Sequence, residues 1–148
     1  MRYVLDSNII LFYVRDSKTK RFIENQYHPF DEENTAIISI ATVAELMSLA
    51  KRQKWGERKR RVLQRIFDSL TIVEIRYSDL IEAYSDIDTY SHGKDENRPL
   101  GMTSRNMGKN DLWIAATAHI TNSKLLTTDK DFNHLNGVFF DIILIEQQ

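Results

Sequence analysis

The stretch Ala36-Ile37-Ile38-Ser39-Ile40 is short, β-branched and apolar almost without interruption. A strand that met water on one face would alternate apolar with polar residues. An unbroken run instead marks a strand covered on both faces, as in a parallel sheet flanked by helices. Outward from it the pattern recurs: Arg2 to Leu5, Leu70 to Ile75, Lys124 to Thr127 and Phe140 to Ile145 read as further strands. Between them, helices are expected from near Ser7 to Val14, Lys18 to Tyr27, Thr42 to Lys54, Glu57 to Ser69, Asp79 to Tyr90 and Asp111 to Ile120. Strands alternating with helices require right-handed βαβ crossovers. The expected fold class is therefore α/β, a central, mainly parallel sheet with helices on both faces. Ser91 to Asn110, rich in Gly, Pro, Asn and charge, is the one long loop, and such loops in compact domains usually carry function.

Composition bounds the rest. A length of 148 residues suits one domain, expected over 1–148. A chain of that size buries roughly 68–70% of its unfolded surface, so it needs no staples. The absence of cysteine excludes disulfides and thiolate metal sites and favours a cytoplasmic setting. With 42% hydrophobic and 28% charged residues, the composition is globular and not disordered. The apolar run Ile9-Ile10-Leu11-Phe12-Tyr13-Val14 falls far short of the roughly 18 residues of a membrane span, so no membrane association is expected. Asp6 arrives too early for a signal peptide. The same run in the first helix exceeds what one buried face needs, which points to a subunit interface or partner groove there.

The net charge of −1 conceals an asymmetry. Eight basic residues (Lys51, Arg52, Lys54, Arg58, Lys59, Arg60, Arg61 and Arg65) and one acid, Glu57, occupy the segment 51–65. Such a stripe either steers a polyanion toward one face or is a solvated helical face with a few Glu-to-Arg pairs.

In open parallel sheets ligands bind beyond the carboxyl ends of the strands. Four acids fall there: Asp6 ends the first strand, Glu45 follows the second, Asp111 opens a helix after the long loop, and Asp129 follows Lys124 to Thr127, with Asp131 two residues on. Each has a structural reading of its own. Thr42-Val43-Ala44-Glu45 has the form of a capping box. Asp111 suits a helix dipole, and Asp6 and Asp129 suit caps. Together, without an evident Lys or Arg beside each, they form a carboxylate cluster that needs charge compensation. Oxygen donors without Cys or paired His select hard ions, Mg²⁺ or Mn²⁺. The implied chemistry is metal-assisted hydrolysis of a phosphodiester. His92, His119 and His134 have no spaced partner and read as packing or loop residues.

Leu5-Asp6-Ser7-Asn8, Ser39 with Ala44-Glu45-Leu46, Gly108-Lys109-Asn110-Asp111-Leu112-Trp113-Ile114-Ala115-Ala116-Thr117-Ala118, and Leu126-Thr127-Thr128-Asp129-Lys130-Asp131-Phe132 occur in an order and spacing that resembles the PIN-domain ribonucleases, most of all the VapC toxins of bacterial toxin–antitoxin pairs. The block from Lys109 to Ala118 is its most specific part. The resemblance implies a PIN-like three-layer α/β sandwich, an acidic Mg²⁺ or Mn²⁺ site, endonucleolytic cleavage of RNA, and a homodimer held inactive by a small cognate antitoxin. It implies that Asp6, Glu45, Asp111 and Asp129 are catalytic metal ligands, with Asp131 as an alternate fourth acid. It also implies that Asn8, Ser39 and Thr127 hold the acids by hydrogen bonds. The stripe from Lys51 to Arg65 would then steer RNA. Ala50 stands where many relatives have Gly, and Ser91 to Met107 is longer than in the shortest of them. The alternative is a non-catalytic interaction or RNA-binding module whose acids cap helices. A haloacid-dehalogenase-like phosphatase would need Asp-x-Asp where this chain has Asp6-Ser7-Asn8.

Overall fold

The computed structural model describes all 148 residues. Five strands, β1 (Arg2–Leu5), β2 (Thr35–Ser39), β3 (Thr71–Val73), β4 (Lys124–Thr127) and β5 (Ile142–Leu144), make one sheet in the order β3-β2-β1-β4-β5. Every neighbouring pair is parallel, so the sheet is wholly and not just mainly so. Six helices surround it: α1 (Ser7–Val14), α2 (Lys18–Gln26), α3 (Ile40–Arg52), α4 (Glu57–Asp68), α5 (Ser78–Ser91) and α6 (Lys109–Ile120). A short 3-10 helix spans Lys130–Leu135.

Successive strand residues point to opposite faces, and the unbroken apolar runs fill both. Tyr3, Leu5, Ala36, Ile38 and Leu126 join α1–α4 in one core. Val4, Ile37 and Leu125 join α5, α6 and the 3-10 helix in the other. Ala115, Ala116 and Ala118 of α6 are fully buried, small enough to let the helix lie close to its neighbours. The result is helix layer, sheet, helix layer. Because all strands run one way, their carboxyl ends share an edge, and the segments leaving that edge can meet.

Three expectations are corrected. Helix α3 starts at Ile40, because Ser39 caps it: the Ser39 hydroxyl accepts the Ala41 N–H at 3.2 Å. Thr42 therefore lies inside the first turn, its buried hydroxyl has no partner, and no capping box with Glu45 forms. Second, α1 is far more enclosed by its own chain than its apolar run suggests, with Val14 alone half-buried at its end. Ile9, Ile10, Leu11, Phe12 and Tyr13 are all buried within the chain, because α1 is wedged between the sheet, α2 and α4. Third, the outer strands are shorter than read; beyond β5 only the Ile145 N–H still reaches Thr127 O, at 2.8 Å. The long loop is 92–108, since α5 runs to Ser91 and α6 begins at Lys109. No helix is long and apolar enough to cross a membrane.

Candidate active site

Asp6 leaves the end of the central strand β1 and caps α1. Its Oδ1 accepts the Ser7 N–H at 2.7 Å. The neighbouring strand β4 is in register, Leu5 beside Leu126, which sets Thr127 next to Asp6. The Thr127 hydroxyl donates to Asp6 Oδ2 at 2.6 Å and accepts the Asp129 N–H at 3.0 Å. Asp129 in turn caps the 3-10 helix, its Oδ1 accepting the Asp131 N–H at 2.8 Å. One threonine thus couples a buried carboxylate on β1 to the turn that carries two more acids.

Glu45 lies on the exposed side of α3, and Ser7 reaches across to it: the Ser7 hydroxyl donates to Glu45 Oε2 at 2.8 Å. Asp111 is half-buried in the first turn of α6, whose N-cap, Gly108, offers no side-chain oxygen. Asp111 and Asp131 share a polar cavity of about 170 Å³ with Arg105 and Asn106 of the long loop. That loop is tied down beneath the site, where the buried Ser91 hydroxyl meets His134 Nε2 at 2.8 Å and the Arg105 N–H donates to Ser91 O. Cap and site are therefore not exclusive readings for Asp6 and Asp129. Capping occupies one lone pair of an oxygen that has two.

The electrostatics show what the caps leave unexplained. Burial pushes the Asp6 carboxyl above its usual range, the Thr127 and Ser7 hydrogen bonds pull it back, and the charges of Glu45 and Asp129 push it up again. Asp111 is pushed up to about 6, first by burial, then by Asp6, Asp129, Glu45 and Asp131. The four ion pairs of the chain are Lys20–Asp16, Arg61–Glu57, Arg76–Glu74 and His92–Asp88, so none of these five acids has a cationic partner. The acids share one field without touching: no three of them converge closely enough to cage an ion unaided. A hard divalent ion fits this donor set. It needs only one or two carboxylates and completes its shell with water, and it supplies the positive charge the cluster lacks.

Other predicted residues sit elsewhere. Asn8 bonds Thr128 Oγ1 at 3.0 Å and Ser39 caps α3, so the hydrogen bonds of these two do not go to the acids. The basic stripe is away from the pocket. Arg58 and Lys59 border a groove with Tyr13 and Val14 at the far end of α1, roughly 12 Å of helix from Asp6. Part of the stripe is engaged locally: Lys59 lies over the Trp55 ring, Arg60 donates to Trp55 O, Arg61 pairs with Glu57 and Arg52 donates to Ser48. Lys51 and Arg60 border a small cavity of about 120 Å³ between α3 and α4, Arg65 borders a separate one with Tyr13, Lys20 and Phe30, and Lys54 is exposed. Sequence reading missed Ser7 and Arg105. Ser7 was findable as the residue after a strand-end aspartate; nothing local distinguishes Arg105.

Comparison with known proteins agrees with this architecture. The family model described as PIN domain matches residues 3–138. No curated protein sequence matches. Among solved structures, VapBC2 from Rickettsia felis bound to a promoter DNA fragment aligns with a TM-score of 0.77 at 22% identity, over 99% of this chain and 100% of that one. VapBC-1 from nontypeable Haemophilus influenzae gives 0.71 at 23% identity, over 97% and 98%. VapBC-5 from Mycobacterium tuberculosis gives 0.62 at 20%, over 97% and 98%. At these identities the likeness is one of fold.

Proposed function

The chain belongs to the PIN-domain family, and on that premise we propose that it is a Mg²⁺- or Mn²⁺-dependent endoribonuclease, the toxin of a toxin–antitoxin pair. The observation that carries the reading is Asp111: a half-buried carboxyl with a pKa near 6, among four other acids and without a cationic partner. Helix caps alone would not place it so, since a cap needs one acid and not five. This weighs against a purely structural module.

In this reading Asp6 and Asp111 hold the ion, and Glu45 and Asp129, or Asp131 in its place, orient water. Such an ion, when bound, lowers the pKa of a water and offsets charge on a scissile phosphate. The chain's own residues do the positioning. Thr127 fixes the Asp6 carboxylate and the turn carrying Asp129 as one unit, and Ser7 keeps Glu45 over the edge of the sheet. Burial of Asp6 lowers the local dielectric, which strengthens every charge interaction there. The basic stripe, away from the pocket, acts at range on RNA encounter, an effect that weakens with salt. A small antitoxin, a homodimer, a single domain over 1–148 and a cytoplasmic location belong to the same proposal.

The test has two arms. Mn²⁺ should raise the melting temperature saturably, by mass action, and should support cleavage of single-stranded RNA. Asp6→Asn should abolish cleavage while leaving the circular dichroism spectrum unchanged. Full cleavage by that variant, or by wild type in excess EDTA, refutes the proposal.

A further inference from the structure

Beside the acids, on the side away from the long loop, lies a cavity of about 440 Å³ that no residue of the proposed metal site lines. It shares a wall with that site through the Asn8–Thr128 hydrogen bond, and Thr128 sits between Thr127 and Asp129 in sequence. Its floor is apolar, made by Phe12, Leu144 and Ile145; its rim carries Arg15 and Lys130. Neither cation takes part in an ion pair, and both are exposed. The one acid on the wall is Glu146.

We propose that this cavity binds the nucleotide next to the scissile bond of a single-stranded RNA, with Arg15 and Lys130 on its phosphates and the base over the apolar floor. The inference rests on the nuclease reading and extends it. The volume falls within the 300–1,000 Å³ of small-ligand sites, and the lining, six polar or charged residues to three apolar ones, suits a nucleotide's charged backbone better than a purely apolar ligand. Stacking a base on an apolar surface while cations track the backbone is the general chemistry of single-strand binding. Lys130 and Asp131 are consecutive but line two different cavities, the second of them shared with Asp111. A strand lying across this turn would therefore present one phosphate to the acids and its neighbour to Arg15 and Lys130. The basic stripe on α4 offers no such continuity.

The experiment measures binding of a fluorescein-labelled single-stranded 12-mer RNA by anisotropy, using Asp111→Asn to prevent cleavage, over a salt series. Adding Arg15→Ala and Lys130→Ala should flatten the slope of log affinity against log salt by about 1.4, at about 0.7 per cation, which corresponds to about 25-fold weaker binding at 0.1 M salt. A control of equal charge, Arg2→Ala with Lys94→Ala, two exposed cations that neither line the cavity nor belong to the basic stripe, should change the slope far less. Both pairs are exposed, and unchanged melting temperatures show that the fold persists. If both pairs change the slope equally, or neither does, while wild type still cleaves the RNA with Mn²⁺, the pocket assignment is overturned and the nuclease reading stands. If the pocket pair weakens RNA binding as stated but wild type cleaves nothing, the pocket stands and the nuclease reading falls. If the pocket pair instead abolishes capture of a co-expressed partner protein and leaves the RNA slope intact, the cavity is a protein-docking site and the proposal is overturned.

Discussion

Thr127→Val removes two hydrogen bonds by deleting one hydroxyl: its own to Asp6 Oδ2 at 2.6 Å and the one it accepts from the Asp129 N–H at 3.0 Å. Asp6 is only 6% exposed, so its released oxygen cannot turn to water. A hydrogen bond to a buried charged group contributes about 1.5–3 kcal/mol. The Asp129 amide is half-buried and can hydrate, so it adds little. At about 2–4 °C per kcal/mol for a chain of this length, the variant should melt about 3–12 °C below wild type at pH 7.5 in EDTA. Thr127→Ser keeps the hydroxyl and should recover most of the loss. The sign of the pH dependence is fixed by the charge. Deleting the donor raises the already elevated pKa of Asp6, so the deficit belongs to the ionised form and should shrink as falling pH protonates that carboxyl. Thermal denaturation followed by circular dichroism at pH 5 and pH 7.5 reads both. A valine variant that melts with wild type at pH 7.5 would refute the idea that Thr127 holds a charged Asp6.

Asp111→Asn should make the metal-free protein more stable at pH 7.5 and erase the Mn²⁺-dependent rise in melting temperature; a variant less stable than wild type in EDTA would contradict the like-charge argument. The Asp111 carboxyl titrates near 6 in the folded chain against an ordinary value of 3.8, so the native state holds the extra proton between these values. Metal-free stability from this group therefore falls as pH rises from about 4 to about 6, then levels, while Mn²⁺ affinity rises over the same window. Calorimetry of wild type against Asp111→Asn isolates that limb. Thr42→Val replaces a buried, partnerless hydroxyl with a methyl of similar shape and should be neutral or stabilising by about 1 kcal/mol in urea denaturation. Ser7→Ala frees Glu45 and should reduce cleavage with little change in melting temperature, since the bond is exposed.

The sheet was legible because its strands are apolar on both faces: Val4, Ile37 and Leu125 are as fully enclosed as Leu5, Ile38 and Leu126. Periodicity also located six helices. It misjudged the start of α3, where two hydroxyl residues compete to cap and only packing decides that Ser39 wins over Thr42. It also misjudged α1, since a run of apolar residues does not say whether the cover is another chain or α2 and α4 of the same one. At the site, the acids followed from their place at strand ends. The ties between them did not. Ser7 to Glu45 and Thr127 to Asp6 span 38 and 121 positions, and such partners follow from strand order and register, not from local pattern.

The order β3-β2-β1-β4-β5 also has a meaning for biosynthesis. The strand in the middle is the first to leave the ribosome, and β4, which completes the pocket beside it, pairs with it from 121 positions later, Lys124 beside Tyr3. A nascent chain halted between Glu45 and Lys124 carries Asp6 and Glu45 but has neither Thr127 nor Asp129. Long-range parallel pairing of this kind forms late. On the nuclease proposal, an unfinished polypeptide therefore has no complete site, and cleavage competence begins only once the last quarter of the chain has been translated.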